Sequence, residues 1–301
     1  MRPSLAAVFA AVVVSGCAGT NAEPSPAATS EPTSRIASPQ ASPSVSPSPS
    51  PSAPAETHVF VLVMENAPLS VALGSPVIAR LARTYVLATN YHAVASPSLP
   101  NYLALTSGST WGVVDDGYHV LPPRGIGQQL TAAGISWRAY MEGLTTAGCK
   151  ASPYPYALKH NPFAYYGGAC PENVVALGAL DADLAENTPR LVWITPGLCH
   201  DGHDCALADA AAWLDATVSK IIASAAWRER GVLFVVWDEG NPSDDLVPLI
   251  VAAPGLAPRQ LSTRYDHYSL LAATEDLLGV GRLGAAASAD PLSALLAGRG
   301  P

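Results

Sequence analysis

The chain has 301 residues, 49% of them hydrophobic and 13% charged, which admits one large domain or two small ones with a substantial core. Its formal net charge is −8, and no cluster of lysine and arginine occurs anywhere, so the basic face that a nucleic-acid binder needs is missing. An acidic protein of this kind binds phosphate through metal ions and backbone dipoles more than through basic side chains.

In chain order, residues 1–16 read as an export signal: Arg2, a short apolar run, then small residues. The run is too short and too alanine-rich for a membrane span. Val14-Ser15-Gly16-Cys17 resembles a bacterial lipobox, which implies cleavage before Cys17 and a lipid on that cysteine. The alternative is an ordinary secretory signal with an incidental cysteine. Residues 17–56 are rich in proline and serine and nearly devoid of bulky apolar side chains. Such a segment has too little apolar surface to fold and is expected to be a disordered, semi-rigid stalk. The folded domain is expected over 57–301.

Within that domain the expected elements alternate. A strand over 57–66 (THVFVLVMEN) precedes a helix over 75–88, a helix opening near Leu99, a helix over 125–134 and a strand over 135–142. A strand over 190–196, a helix over 207–227, strands over 231–240 and 246–254, and a helix in DHYSLLAATEDLLG complete the series. Three of the strands are almost continuously apolar, as strands buried on both faces of a parallel sheet are. The helix over 207–227 places Ala210, Trp213, Leu214, Thr217, Val218, Ile221 and Ile222 near one face. Alternating β and α elements predict a three-layer α/β/α sandwich with a mostly parallel central sheet.

In an open α/β sheet, ligands bind outside the carboxyl ends of the strands. Three strands are apolar until that end and then turn polar: one delivers Glu65-Asn66, one runs into PGLCHDGHDC, and one ends in Asp238-Glu239-Gly240. Glu65, Asn66, Asp238 and Glu239 are four oxygen donors, a set suited to Mg²⁺, Ca²⁺ or Mn²⁺ and acceptable to zinc. In ASPSLPNYLALTSG, Ser98 is either the N-cap of a helix or a nucleophile set where a helix N-terminus receives an anion. Asn101, one helical turn on, could direct its amide at the same anion, and His203 or His267 could protonate a leaving oxygen. His58, His92 and His119 are read as structural.

The ordered stretches HVFVLVMEN, PSLPNYLALTSG, YMEG, KHNPF, HDGHD, VVWDEG and DHYSLLAATEDLLG resemble the bacterial phosphoesterase family, over essentially all of residues 57–280. That family holds secreted acid phosphatases and phospholipases C within the alkaline phosphatase-like superfamily. The resemblance implies an exported phosphomonoesterase, with a phospholipase C-like phosphodiesterase as the alternative. It implies metal ligation by Glu65, Asn66, Asp238 and Glu239, a phosphorylated Ser98, a phosphate contact from Asn101, and acid/base or phosphate-binding roles for His203 and His267. Lys159 and His160 of KHNPF, and Asp201 and Asp204 of HDGHD, are expected to bind substrate. The expected partners are a phosphorylated small molecule or lipid headgroup, and a membrane through the N-terminal lipid, with no nucleic acid and no protein partner evident. Family members commonly have a histidine where this chain has Ser96, so its role must be absent or pass to another group such as His92.

Setting Cys17 aside leaves Cys149, Cys170, Cys199 and Cys205, an even set suited to an oxidising compartment. The local pairs, Cys149 with Cys170 and Cys199 with Cys205, are expected as disulfides, against a zinc site built from Cys199, His200, His203 and Cys205. Two rival functions remain. A serine esterase would use Ser98, Asp238 and His267, although the chain lacks G-x-S-x-G and Glu65-Asn66 would have no role. A lipoprotein that only binds ligand through a metal would need no serine beside the ion.

Overall fold

The computed structural model describes residues 56–241 and 243–299. The expected signal, Cys17 and all but the last residue of the expected stalk lie outside them. The frame is one eight-stranded sheet in the order β5-β4-β6-β1-β7-β8-β2-β9, with a small two-stranded sheet of β3 and β10 beside it. The strands are β1 His58–Met64, β2 Val86–Ala88, β3 Tyr91–His92, β4 Trp137–Met141, β5 Val174–Ala176, β6 Leu191–Thr195, β7 Gly231–Trp237, β8 Leu249–Ala252, β9 Arg259–Leu261 and β10 Tyr265–Asp266. All pairs are parallel except those that β8 makes with β7 and β2.

β1 and β7 lie side by side at the centre, and every residue of HVFVLVM after His58 and every residue of GVLFVVW is buried. Burial on both faces is why these strands carry no polar alternation. Helices cover the sheet in two groups. Ser98–Ser107 packs on Ile126–Ala132 and on His267–Leu278, whereas Leu207–Ala223 packs on Pro76–Thr84 and on Ala225–Arg230. Gly231 opens β7 where an added Cβ would lie 2.7 Å from the Trp227 backbone, so the turn from helix to central strand requires glycine.

All five expected strands are present. The helix expected over 75–88 stops at Thr84, and Val86–Ala88 becomes β2 instead. The helix expected over 207–227 breaks at Ser224, whose extended backbone ends one helix while its hydroxyl accepts from Trp227 N and caps the next. Asp266 caps His267–Leu278, accepting from Tyr268 N at 3.0 Å and Ser269 N at 3.1 Å.

Candidate active site

The register of β1 on β7 pairs Met64 with Trp237, so the next residues, Glu65 and Asp238, leave the sheet side by side. Asp238 N donates to Met64 O at 3.0 Å, tying the two strand ends together, and Glu65 N donates to Asp201 O at 3.0 Å, tying β1 to the loop after β6. The Ser98–Ser107 helix begins over this edge with Pro97 as its N-cap and no side-chain cap bond. Ser98 therefore does not cap its helix. Its Oγ donates instead to Glu65 Oε2 at 3.0 Å and Glu239 Oε1 at 3.4 Å, and Lys159 Nζ lies 3.5 Å away.

Glu65, Asp238, Glu239 and Ser98 are all buried. Burial pushes the Asp238 carboxyl well above its usual range, and the neighbouring Glu65 and Glu239 charges push it further. Glu239 is raised by burial as well, against a hydrogen bond from Ser96. Burial works on Glu65 too, but the adjacent His160 outweighs it and holds Glu65 down at about 2. Three buried carboxylates beside one hydroxyl form the donor set a hard divalent ion takes. Asp238 Oδ2 and Glu239 Oε2 are buried without hydrogen-bond partners, which fits a cation in kind. The side chains as they stand are not a closed cage, since no group of three or more His, Cys, Asp or Glu among the described residues is arranged to hold a metal. The fourth expected ligand, Asn66, has an exposed side chain and a left-handed backbone at φ 55°; its backbone N–H, not its amide, points at Asp238 Oδ1 at 3.4 Å.

Lys159 crosses the mouth of the site. Its ammonium donates to Asp116 Oδ2 at 3.1 Å and stands 3.2 Å from His203 Nε2. His203 is at the surface, its Nδ1 held by Asp204 Oδ1 at 2.7 Å and its backbone N–H by Asp201 Oδ1 at 2.7 Å. Asp204 thus orients the imidazole. Behind them His160 is fully buried, with Nε2 3.1 Å from Glu65 Oε1 and Nδ1 3.2 Å from Asp201 Oδ2. Burial disfavours the charged ring, yet the flanking carboxylates win and raise it to about 9. Tyr102 stacks on it with ring centroids 5.2 Å apart.

Besides Asn66, four expected site residues face elsewhere in the structure. Asn101 makes four bonds to backbone: its Oδ1 accepts from Val94 N and Ala95 N at 3.0 Å, and its Nδ2 donates to Ala95 O at 2.9 Å and Pro97 O at 3.3 Å. An amide with every donor and acceptor used shapes the loop before Ser98 and has nothing left for phosphate. His267 is fully buried, with Nδ1 2.8 Å from Tyr91 Oη and Nε2 2.5 Å from the Asp238 carbonyl. Burial lowers it to about 4, so it braces Asp238 as a neutral ring rather than reaching a leaving group. His160 and Asp201 are buried, leaving Lys159 and Asp204 toward the surface.

The rivals meet specific obstacles. Ser98 faces carboxylates and a lysine, while His267 is bound to Tyr91 and to backbone, so no Ser-His-Asp relay exists among them. Cys199 and Cys205 are joined as a disulfide, as are Cys149 and Cys170, and His200 turns to Glu142 at 2.8 Å, which removes the zinc alternative. His92 does not replace the family histidine, because Asp245 and Asn90 hold its two ring nitrogens. The sequence reading missed Asp116, which lies in an Asp-Asp-Gly turn and has no distinguishing spacing. It also missed Tyr91 and Tyr102, whose contacts are long-range.

This frame, a mostly parallel sheet under the helix that opens at Ser98 with acidic strand ends, is an alkaline phosphatase-like α/β fold. A solved protein in the alkaline phosphatase superfamily from Vibrio parahaemolyticus superposes with a TM-score of 0.54 and 12% identity, covering 75% of this chain and 67% of that one. The Phosphoesterase family model matches residues 70–281, and the chain belongs to that family of phosphate-ester hydrolases. It is 27% identical to the phosphate-repressible acid phosphatase of Penicillium chrysogenum, over 73% of this chain and 58% of the fungal protein. It is 28% identical to the phosphatidylinositol-3-phosphatase of Mycobacterium tuberculosis, over 80% of this chain and 83% of that one. The chain thus spans less than two thirds of the fungal relative's length.

Proposed function

We propose that this chain is an exported phosphomonoesterase that works through a phosphoserine at Ser98. The observation that carries the reading is the position of Ser98 Oγ, free of any capping bond and 3.0 Å from a buried carboxylate at a strand end. Ser98 Oγ attacks phosphorus as its proton passes to Glu239, which burial makes the more basic of the two carboxylates it faces. The bond from phosphorus to the ester oxygen breaks, and His203, held by Asp204, is placed to protonate that oxygen. Lys159 carries its charge to the phosphoryl oxygens from beside Ser98. Water then attacks phosphorus and gives its proton to His203, the bond from phosphorus to Ser98 Oγ breaks, and Glu239 returns its proton to the serine oxygen, so that every group regains its starting state. A divalent ion held by Glu65, Asp238 and Glu239 would lower the serine pKa and neutralise a phosphoryl oxygen.

Fungal acid phosphatase and mycobacterial phosphoinositide phosphatase relatives favour a monoester, either a soluble phosphate ester or a phosphorylated lipid headgroup. Two disulfides fit an oxidising compartment, in line with the export signal and the lipid anchor at Cys17. The deciding experiment compares wild type with Ser98→Ala on p-nitrophenyl phosphate, with phosphate binding measured in parallel. Ser98→Ala should lose turnover while still binding phosphate; wild-type turnover in that variant would move the nucleophile elsewhere.

A further inference from the structure

The first backbone N–H groups of a helix lack intrahelical partners and form an anion seat. Beside Ser98 that seat is held by the protein's own carboxylate. Asp116 Oδ1 accepts from Leu99 N at 3.0 Å, and Asp116 Oδ2 accepts from Lys159 Nζ at 3.1 Å. Leu99 N belongs to the residue after the nucleophile, and Lys159 Nζ is 3.5 Å from Ser98 Oγ. The two donors that grip Asp116 are therefore the two that flank the attacking oxygen. No other side chain of the acidic turn enters the site, because Asp115 folds back on Gly117 N at 2.8 Å and on His119.

Asp116 belongs to the stretch between the Ser98–Ser107 helix and the helix at Ile126, where no regular element occurs apart from one bridge at Leu121. Its side chain is 31% exposed. A carboxylate that reaches water on one side can leave Leu99 and Lys159 without stranding a buried charge. It is also planar with two oxygens, which lets it occupy two of the positions that a phosphoryl group fills with its own.

We propose that Asp116 is a built-in competitor for the phosphoryl group, which binds at Ser98 by displacing the Asp116 carboxylate from Leu99 N and Lys159 Nζ. This rests on the reading of Ser98 as the nucleophile of phosphate-ester hydrolysis and adds to it a determinant of specificity. A ligand that must displace an internal anion binds more weakly by the fraction of time the seat is closed. A monoester dianion brings two charges against the single charge of Asp116, whereas a diester brings one, so the competitor favours monoesters. It also hastens release of inorganic phosphate, since the carboxylate is at hand to retake the donors.

The test uses the full chain, with Asp116→Ala and Asp116→Asn beside wild type. Calorimetric binding of inorganic phosphate should tighten by about tenfold in both, the scale of one charge-assisted hydrogen bond. Hydrolysis of bis(p-nitrophenyl) phosphate should rise relative to p-nitrophenyl phosphate. Phosphate affinity that is unchanged or weaker in both variants, in a wild type that hydrolyses the monoester, overturns the Asp116 assignment alone. Weaker binding together with a lower kcat would make Asp116 a positioning residue for Lys159 instead. A wild type that neither binds phosphate nor hydrolyses the monoester overturns the assignment together with the reading beneath it.

Discussion

Glu275 should make the domain lose stability as the pH rises, and a single substitution isolates the effect. It sits on the His267–Leu278 helix, whose first residue braces Asp238, and it is fully buried. Its Oε1 accepts from Leu283 N at 2.9 Å, while Oε2 has no partner among the described residues. The nearest cation, Arg282, is committed to Asp276 through two hydrogen bonds of 2.9 and 2.6 Å. Burial accordingly raises the Glu275 carboxyl from 4.5 to about 8, against the pull of the Leu283 N–H and Arg282. A carboxyl raised in the folded state costs nothing while both states are protonated, well below pH 4.5. The cost grows as the unfolded chain sheds its proton and levels off above pH 8. At about 1.4 kcal/mol per pH unit, the interval sets a ceiling of about 5 kcal/mol, with about 2 kcal/mol already lost at pH 6. Glu275→Gln keeps an acceptor for Leu283 N and abolishes the titration. Its amide N–H₂ replaces the unpaired oxygen, at a cost of about 1–3 kcal/mol that does not vary with pH. Chemical denaturation of both proteins at pH 4.5, 6 and 8 should show the variant gaining on wild type by several kcal/mol across the series. A difference that stays flat from pH 4.5 to 8 would refute the reasoning.

Asp238→Asn should raise the melting temperature in chelator, because a carboxyl raised by burial and by Glu65 and Glu239 costs stability above the ordinary carboxylate range and an amide does not. The same variant should lose the stabilisation that a bound divalent ion gives, about 2.7 kcal/mol at a hundredfold excess over its Kd, and an undiminished shift would remove Asp238 from the ligand set. Cys17→Ser should release the protein from the membrane fraction or leave its precursor unprocessed; a variant that fractionates as wild type does would remove the anchor.

Long apolar strands were legible in the sequence because burial on both faces leaves a continuous run, as in HVFVLVM and GVLFVVW. Strands of two or three residues, such as β3, β5, β9 and β10, are too short to show any period, and their pairing is set by tertiary contacts. Val86–Ala88 was read as helix because its apolar residues continue the pattern of the helix before it; the break at Ser224 was hidden by flanking alanines, which favour helix. At the site, residue type and strand end revealed which side chains gather. The direction each one faces was not legible. Asn101 is one helical turn from Ser98, where an amide could serve an anion or a loop, and four backbone partners brought from residues 94–97 decide for the loop. His267 follows a strand just as a catalytic histidine would, yet Tyr91, distant in sequence, takes one of its nitrogens.

Pairing of the polar atoms sets Asn101 and His267 apart from the carboxylates of this site. Asn101 has every donor and acceptor engaged, and His267 has both nitrogens engaged, as expected of groups whose work is finished on folding. Asp238 Oδ2 and Glu239 Oε2 are buried and unpartnered, a state that costs free energy in the protein by itself. The cost is concentrated by the register of β1 on β7, which sets Glu65 and Asp238 next to each other, directly after six apolar residue pairs along the two strands. Like charges buried together at a strand end make no contribution to the core that a valine would not make better. Their presence around a hydroxyl that no helix cap has claimed calls for a chemical reason, and the proposed phosphoryl transfer to Ser98 would use every one of them.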